Sequence, residues 1–458
     1  MMSLLLPSRF RRLFFLGSKQ VLPWLLASVP LLFMIYQVAR YPVDVPFFDD
    51  WSFVPLVEKW YLGNPALGDL WHQHNEHRMF FAKVIIVGLA AMTSWNMTYE
   101  VALNALLGAG IFLVFVRQAF RIQTLVGECG LPWLIPGSSL IAFSMGQWES
   151  WVAATSLAYY LSVFCSVAGI VLLSKFQFSW HMFLSAALLG VIASYSFGSG
   201  LMYWPIGILL LYYTRFERQG VKGRIICLWG VASLLVMCGY FYGYRKPPRH
   251  PSLLYGLEDP KGIIHYLVAY LGGPLFFQNP YATYAGIAGV LSIGAMTVYL
   301  YLNRNVKREW FLGAMALGLF SFGSAIVTAA VRGGFGSWQA LAPRYVTVST
   351  PFWLAFVLLL AVTVKALRIQ WRDRRVALYF VRVTGAAVYV LLLYFVLRNS
   401  VDSVPFLRER GERVAQAGRE LFVLKDDTML RNIHPSPELV KQRTRILRDW
   451  KLSVFRQH

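Results

Sequence analysis

The sequence predicts an all-α polytopic membrane protein. About 11–13 transmembrane helices are expected, with amphipathic helices on the outer face and a small C-terminal appendage. Three observations carry that expectation. Hydrophobic residues make up 57% of the 458 and charged residues only 14%, with mean hydropathy +0.51; soluble domains carry about 25% charge. Apolar segments near the spanning length of about 20 residues recur along the chain. Lys and Arg gather in particular loops, the topogenic pattern of a multi-pass protein. The net charge of +21 is read the same way, because no basic stripe lies on a soluble module, and nucleic acid is not an expected partner.

Taken in order, the N-terminal stretch RFRRLFFLGSK is basic and an apolar run at 21–39 follows it. No small-residue cleavage site follows, so this run is read as a retained first helix. Further apolar segments lie at 79–96, 100–116, 132–146, 157–173, 180–195, 201–214, 225–243, 283–302, 310–331, 346–364 and 376–397. Residues 1–20 hold four basic residues and no acid, and residues 365–375 hold five basic residues against Asp373. Both are assigned to the inner side, with 117–121, 215–224 and 303–308. Residues 40–78, 146–156, 244–282 and 332–345 then fall outside. The inside and outside counts disagree by one crossing between 78 and 117. They agree if 79–96 lies in the interface or re-enters without spanning. FVPLVEKWYL (53–62) and GIIHYLVAYL (262–271) are read as surface helices.

Residues 1–397 are expected to form the membrane domain and 398–458 a small helical extracytoplasmic tail. In that tail Ser436 can cap a helix that opens at Pro437. The four cysteines sit in or beside apolar runs without a CxxC pair, so no disulfide frame is indicated.

The outer loops hold the residues that can carry chemistry. Six acids and three basic residues lie in 40–78. DVPFFDDWSF places Asp49 and Asp50 between Phe47-Phe48 and Trp51. Two like charges in a partly apolar setting raise one carboxyl pKa, which suits proton abstraction or a divalent cation; the plain alternative is a solvated turn. Asp50, beside Trp51, is preferred as the base. HQHNEHR packs His72, His74, Glu76, His77 and Arg78 together. This cluster fits phosphate or substrate recognition, a hydrated interfacial loop, or a zinc site. GQWESW carries Trp148, Glu149 and Trp151, which suit a sugar platform or an aromatic belt. RGGFGSWQALAPRY flanks a glycine-rich stretch with Arg332 and Arg344, an arrangement for an anion or a plain turn. Arg245, Lys246 and Arg249 add outer-side cations.

An acidic motif in the first outer loop, many crossings, and later outer loops with an acid and arginines resemble the GT-C class of glycosyltransferases. LRNIHPSPELVKQRTRILRDWKLSVF likewise looks like the ends of some bacterial membrane glycosyltransferase-like proteins. The cluster at 72–78 is not part of the GT-C pattern, and the WWDYG sequence of oligosaccharyltransferases is absent. The resemblance implies a GT-C-like bundle in the inner (cytoplasmic) membrane with its active site on the periplasmic face. It implies a polyprenyl-phosphate sugar donor and a glycan or lipid acceptor. Asp49 and Asp50 would be catalytic, with Mg or Mn as an optional divalent ion held by the pair. Glu149 would match a second catalytic-loop acid, and Arg332 or Arg344 a late phosphate-binding residue. Glu76, His74, His77, Arg78 and Trp148 complete the expected substrate-binding set. The competing expectations are a lipid-linked glycan ligase or polymerase, which needs arginine and histidine but not the Asp pair, and a transporter or flippase. Transporters keep ionisable residues within the spans, whereas here the acids cluster in outer loops.

Overall fold

The computed structural model describes residues 18–41, 44–64, 67–127, 131–216, 219–248, 250–252 and 255–456. The basic stretch before Ser18 and Arg249 lie outside the described residues. The chain is an all-α multi-pass membrane protein, and no strand forms among the described residues beyond isolated bridges at His74–His77 and Gln177–Arg215.

Among the described residues, eight helices are long and apolar enough to cross a membrane. They are α1 (Ser18–Arg40), α5 (Thr98–Val126), α8 (Leu157–Leu173), α11 (Gln219–Phe241), α14 (Tyr281–Leu302), α15 (Leu312–Arg332), α16 (Pro343–Gln370) and α17 (Arg375–Glu420). Between them stand the short helices α2 (Val54–Tyr61), α3 (Leu67–Trp71), α4 (Phe80–Thr93), α6 (Leu134–Ala142) and α7 (Trp148–Val152). The remaining short ones are α9 (Trp180–Ser194), α10 (Tyr203–Tyr213), α12 (Tyr255–Glu258) and α13 (Pro260–Gly272), then α18 (Asp427–Arg431) and α19 (Pro437–Asp449) beyond α17. The bundle has an upper end, which carries 44–79, and a lower end, which carries 303–311.

Three short pieces run between these ends. The segment around α6 climbs along α1 and α17: Tyr389 donates to the Leu134 carbonyl, Ser139 to the Ala27 carbonyl, and the Met145 N–H to Ser400 Oγ. α9 starts and α10 finishes at the lower end, where the Arg215 N–H donates to the Phe176 carbonyl at 2.9 Å. Tyr203 and Trp204 of α10 pack on α9 and on Trp229 of α11.

Two short helices keep both ends at the top. α4 starts where the Phe81 N–H meets the Tyr195 carbonyl and finishes where the Ser94 carbonyl accepts from the Ser453 N–H. It is fourteen residues long, and because both its ends are tied to upper-end segments it makes no passage to the lower end. Its inner side packs into a satellite core with Trp51, Phe53, Val57 and Trp95. α13 starts under the 332–339 loop, with Tyr266 Oη on Gln339, and finishes where Asn399 donates to the Gly273 and Pro274 carbonyls.

The expected division at residue 397 is corrected. α17 runs unbroken across it as a 46-residue helix, about 69 Å long. The tail beyond buries Val414, Leu430, Ile433, Val440 and Leu447 against the same satellite core as α2 and α4. Tail and first loop therefore form one upper unit. Within it α19 opens at Pro437, and Ser436 Oγ accepts from the Leu439 N–H.

Candidate functional site

At the upper end, five segments meet around a cavity of about 490 Å³. The first is the 3₁₀ turn Phe48–Phe53, in which adjacent carboxylates go separate ways. Asp50 is 1% exposed. Its Oδ1 accepts from the Thr155 N–H at 2.8 Å and Thr155 Oγ1 at 2.7 Å, and its Oδ2 from the Phe47 N–H at 3.2 Å. Burial pushes this carboxyl above its usual range and the Thr155 bonds oppose the shift. Asp50 thus staples the first loop to the link between α7 and α8. Asp49 faces the cavity with a side chain 60% exposed, and His74 Nε2 is 4.0 Å away. Recession in the cavity pushes its carboxyl up, and His74, Arg344 and Arg332 overcome this, leaving it below the usual range. The preference for Asp50 as the base is corrected: its oxygens are sealed and occupied, and Asp49 is the accessible acid.

The second segment is a tight turn in which His74 and His77 exchange backbone hydrogen bonds at 2.9 Å across Asn75 and Glu76. The His77 ring packs 3.8 Å from the Phe197 ring. Arg78 turns the other way, which corrects its expected substrate contact. It is 4% exposed, and its guanidinium donates to the carbonyls of Tyr240, Trp71 and Tyr242. It fastens this turn to the top of α11.

The third segment, 147–156, brings Trp148 and Glu149 to the wall, and the fourth brings Arg332 and Arg344. Arg344 Nη1 donates to Glu149 at 2.9 Å. Arg332 pairs with Glu76 and donates to Tyr345 Oη at 2.9 Å. The fifth segment supplies His250, with Nδ1 3.7 Å from Glu76 Oε2. Glu76 is the hub of this group. Burial opposes its charge, and His77 and Arg332 overcome that, holding the carboxyl far below its usual range. Burial lowers His77 and His250 below the usual imidazole value, with Glu76 opposing.

Each arginine on the wall thus has its own glutamate, and Asp49 faces an imidazole. Glu76 Oε2, His77 Nδ1 and His250 Nδ1 are buried without a hydrogen-bond partner among the described residues. Such groups are costly to leave unpaired, and here His77 and His250 line the cavity with Glu76 just behind them. Tyr159, Phe197, Gln339 and His250 belong to this wall and were not expected from the sequence. Gln339, inside RGGFGSWQALAPRY, and His250, in the cationic YRKPPRH stretch, had a nearby signal.

A shared cation on Asp49 and Asp50 does not fit. The two carboxylates face different surroundings. Among the described residues no group of three or more His, Cys, Asp or Glu side chains is placed to hold a metal ion. No protein-family model, curated protein or solved structure matches the chain.

Proposed function

We propose that the protein is a GT-C-type membrane glycosyltransferase. It takes a sugar from a polyprenyl-phosphate donor to a glycan or lipid hydroxyl on the outer face of a bacterial inner membrane. The observation that carries this reading is Asp49: a carboxylate without an arginine partner among the described residues, open to a cavity that also presents Arg344, Arg332 and aromatic rings. With the eight long helices and the three short passages around α6, α9 and α10 counted as crossings, the chain spans eleven times. That count puts the lower loops, rich in Arg and Lys, inside and the cavity outside.

In the proposed reaction the sugar lies against Trp148 and Tyr159. The acceptor hydroxyl approaches Asp49, its oxygen attacks the anomeric carbon, and its proton passes to the carboxylate. The bond from the anomeric carbon to the phosphate oxygen breaks, and its electron pair leaves with the lipid phosphate. Arg344 is the natural partner of that phosphate. It uses one Nη for Glu149 and has further N–H donors, whereas Arg332 is already divided between Glu76 and Tyr345. Stabilising charge that develops on a leaving group is commonly the largest catalytic contribution.

A second reading, a lipid-pyrophosphate glycan ligase, is favoured by one observation: Glu76, His77, His250 and Arg332 form a network separate from Asp49. Mass spectrometry of lipids and surface glycans from cells with and without the protein distinguishes the two. Accumulation of a polyprenyl-phosphate monosaccharide with loss of one sugar from a glycan supports the transferase. Accumulation of an intact pyrophosphate-linked glycan supports the ligase.

A further inference from the structure

A second polar cavity lies at the opposite end of the bundle, and it plays no part in the chemistry above. It measures about 760 Å³ and sits where the ends of α10 and α14 meet the start of α15. Arg215, Arg304, Lys307 and Arg308 line it with a single acid, Glu309. Arg215 and Glu309 pair with each other. Arg304 and Lys307 are exposed and have no carboxylate within ion-pair distance among the described residues. Arg308 lies 3.8 Å over the Tyr301 ring and donates to the Tyr301 carbonyl. The floor is apolar, with buried Phe176 and Leu312. Behind it, the Arg121 guanidinium rests 5.7 Å from the Phe176 ring, and its Nη1 is buried without a hydrogen-bond partner among the described residues.

Topology accounts for basic residues on this side. It does not account for a concave, tyrosine-walled cavity with three cations left over after its one acid is paired. Tyr301 and Leu302 on the rim are exposed on the outside of the bundle, at the level where a membrane-spanning bundle meets lipid headgroups. Basic pockets between helices on the cytoplasmic side suit anionic headgroups. Arginine and lysine together can engage a phosphate by fork and by point charge.

We propose that this lower cavity binds a phosphate group, presented by an anionic lipid headgroup or by a free phosphorylated compound. Arg304, Lys307 and Arg308 are its main contacts, and Arg215 is released to it when Glu309 turns away. The site is independent of the upper cavity and of the reaction proposed there.

The test uses the full-length protein purified from vesicles of phosphatidylcholine with and without phosphatidylglycerol. Retained lipid is counted by native mass spectrometry. Wild type should retain phosphatidylglycerol over phosphatidylcholine, and Arg304→Ala/Lys307→Ala/Arg308→Ala should lower that preference about tenfold or more. Lys307→Glu, a change at an exposed position, should lower it in the same direction and serves if the triple variant does not fold. Thermal stabilisation by millimolar inorganic phosphate, present in wild type and absent in the variants, without a lipid preference, assigns the site to a free phosphate. Equal phosphatidylglycerol retention by wild type and both variants overturns the proposal, as does the absence of both lipid preference and phosphate stabilisation in wild type.

Discussion

Asp49 and Asp50 are chain neighbours with opposite environments, and the contrast rests on one residue far away in sequence, Thr155. Asp50→Ala removes the acceptor for three donors and should destabilise the protein by about 2–3 kcal/mol, measured as a lower melting temperature in detergent. Arg78→Ala leaves three backbone carbonyls without their donor, at a cost on the order of 3 kcal/mol. It should lower the yield of folded protein rather than weaken donor binding selectively. Gly198 belongs to the same scale. A Cβ there would stand 3.0 Å from His77 Nδ1 and 3.0 Å from Tyr240 Oη, so Gly198→Ala should displace the imidazole and reduce turnover at unchanged protein level. The ionisation states of the network predict a pH dependence. Glu76 lies below its ordinary value of 4.5, so its stabilisation is present above about 4.5 and is lost as pH falls further. His77 and His250 lie below their ordinary 6.5, so on acidification the unfolded chain takes up those protons first and stability falls below about 6.5. The melting temperature of wild type should therefore drop between pH 7.5 and 5.5. His77→Gln/His250→Gln should show a flatter profile, and equal slopes would contradict the lowering of these two imidazoles by burial.

At the scale of elements, the tail acts as a clamp on the first loop. Phe48 has a left-handed φ of 48°, a conformation costly for a bulky side chain, and its N–H donates to the Ile433 carbonyl at 2.8 Å. Ser453 Oγ donates to the Asp44 carbonyl at 2.6 Å, Arg456 pairs with Asp44, and Arg443 donates to the Trp51 carbonyl. Truncation before Pro437 should leave the membrane bundle in place and abolish turnover, because the turn that aims Asp49 loses its support. Full activity of the truncated protein would refute the clamp. Several of these elements were legible in the sequence. Ser436-Pro437 marked the start of α19, and the mismatch in the crossing count singled out 79–96 as interfacial or re-entrant, the segment whose helix has both ends at the upper end. The unity of tail and first loop was not legible, since it rests on apolar faces about 350 residues apart in the chain. Nor were the pairings Glu76–Arg332 and Glu149–Arg344, separated by 256 and 195 residues. Local patterning names the residue types in each loop but not which loops meet. Which of Asp49 and Asp50 is buried was not legible for the same reason, because a 3₁₀ turn sends neighbouring side chains in different directions and a distant segment decides it.

At the scale of the whole molecule, the proposed topology has eleven crossings, with an upper cavity on one side and a basic face on the other. Ser52 and Thr428 are exposed at the upper end and Asn305 at the lower. In a cysteine-free background, Ser52→Cys and Thr428→Cys should react with an impermeant reagent from one side of the membrane and Asn305→Cys from the other; reaction of Ser52→Cys and Asn305→Cys from the same side would break the crossing count. The central claim is that Asp49, rather than Asp50, is the base in a polyprenyl-phosphate sugar transfer. The most direct measurement is turnover of purified wild type, Asp49→Asn and Asp50→Asn on a panel of polyprenyl-phosphate monosaccharides. The account predicts that Asp49→Asn loses about 10²–10⁴-fold in turnover with donor binding retained, while folded Asp50→Asn stays much nearer wild type. Wild-type turnover by Asp49→Asn, beside an active wild-type control, would contradict it.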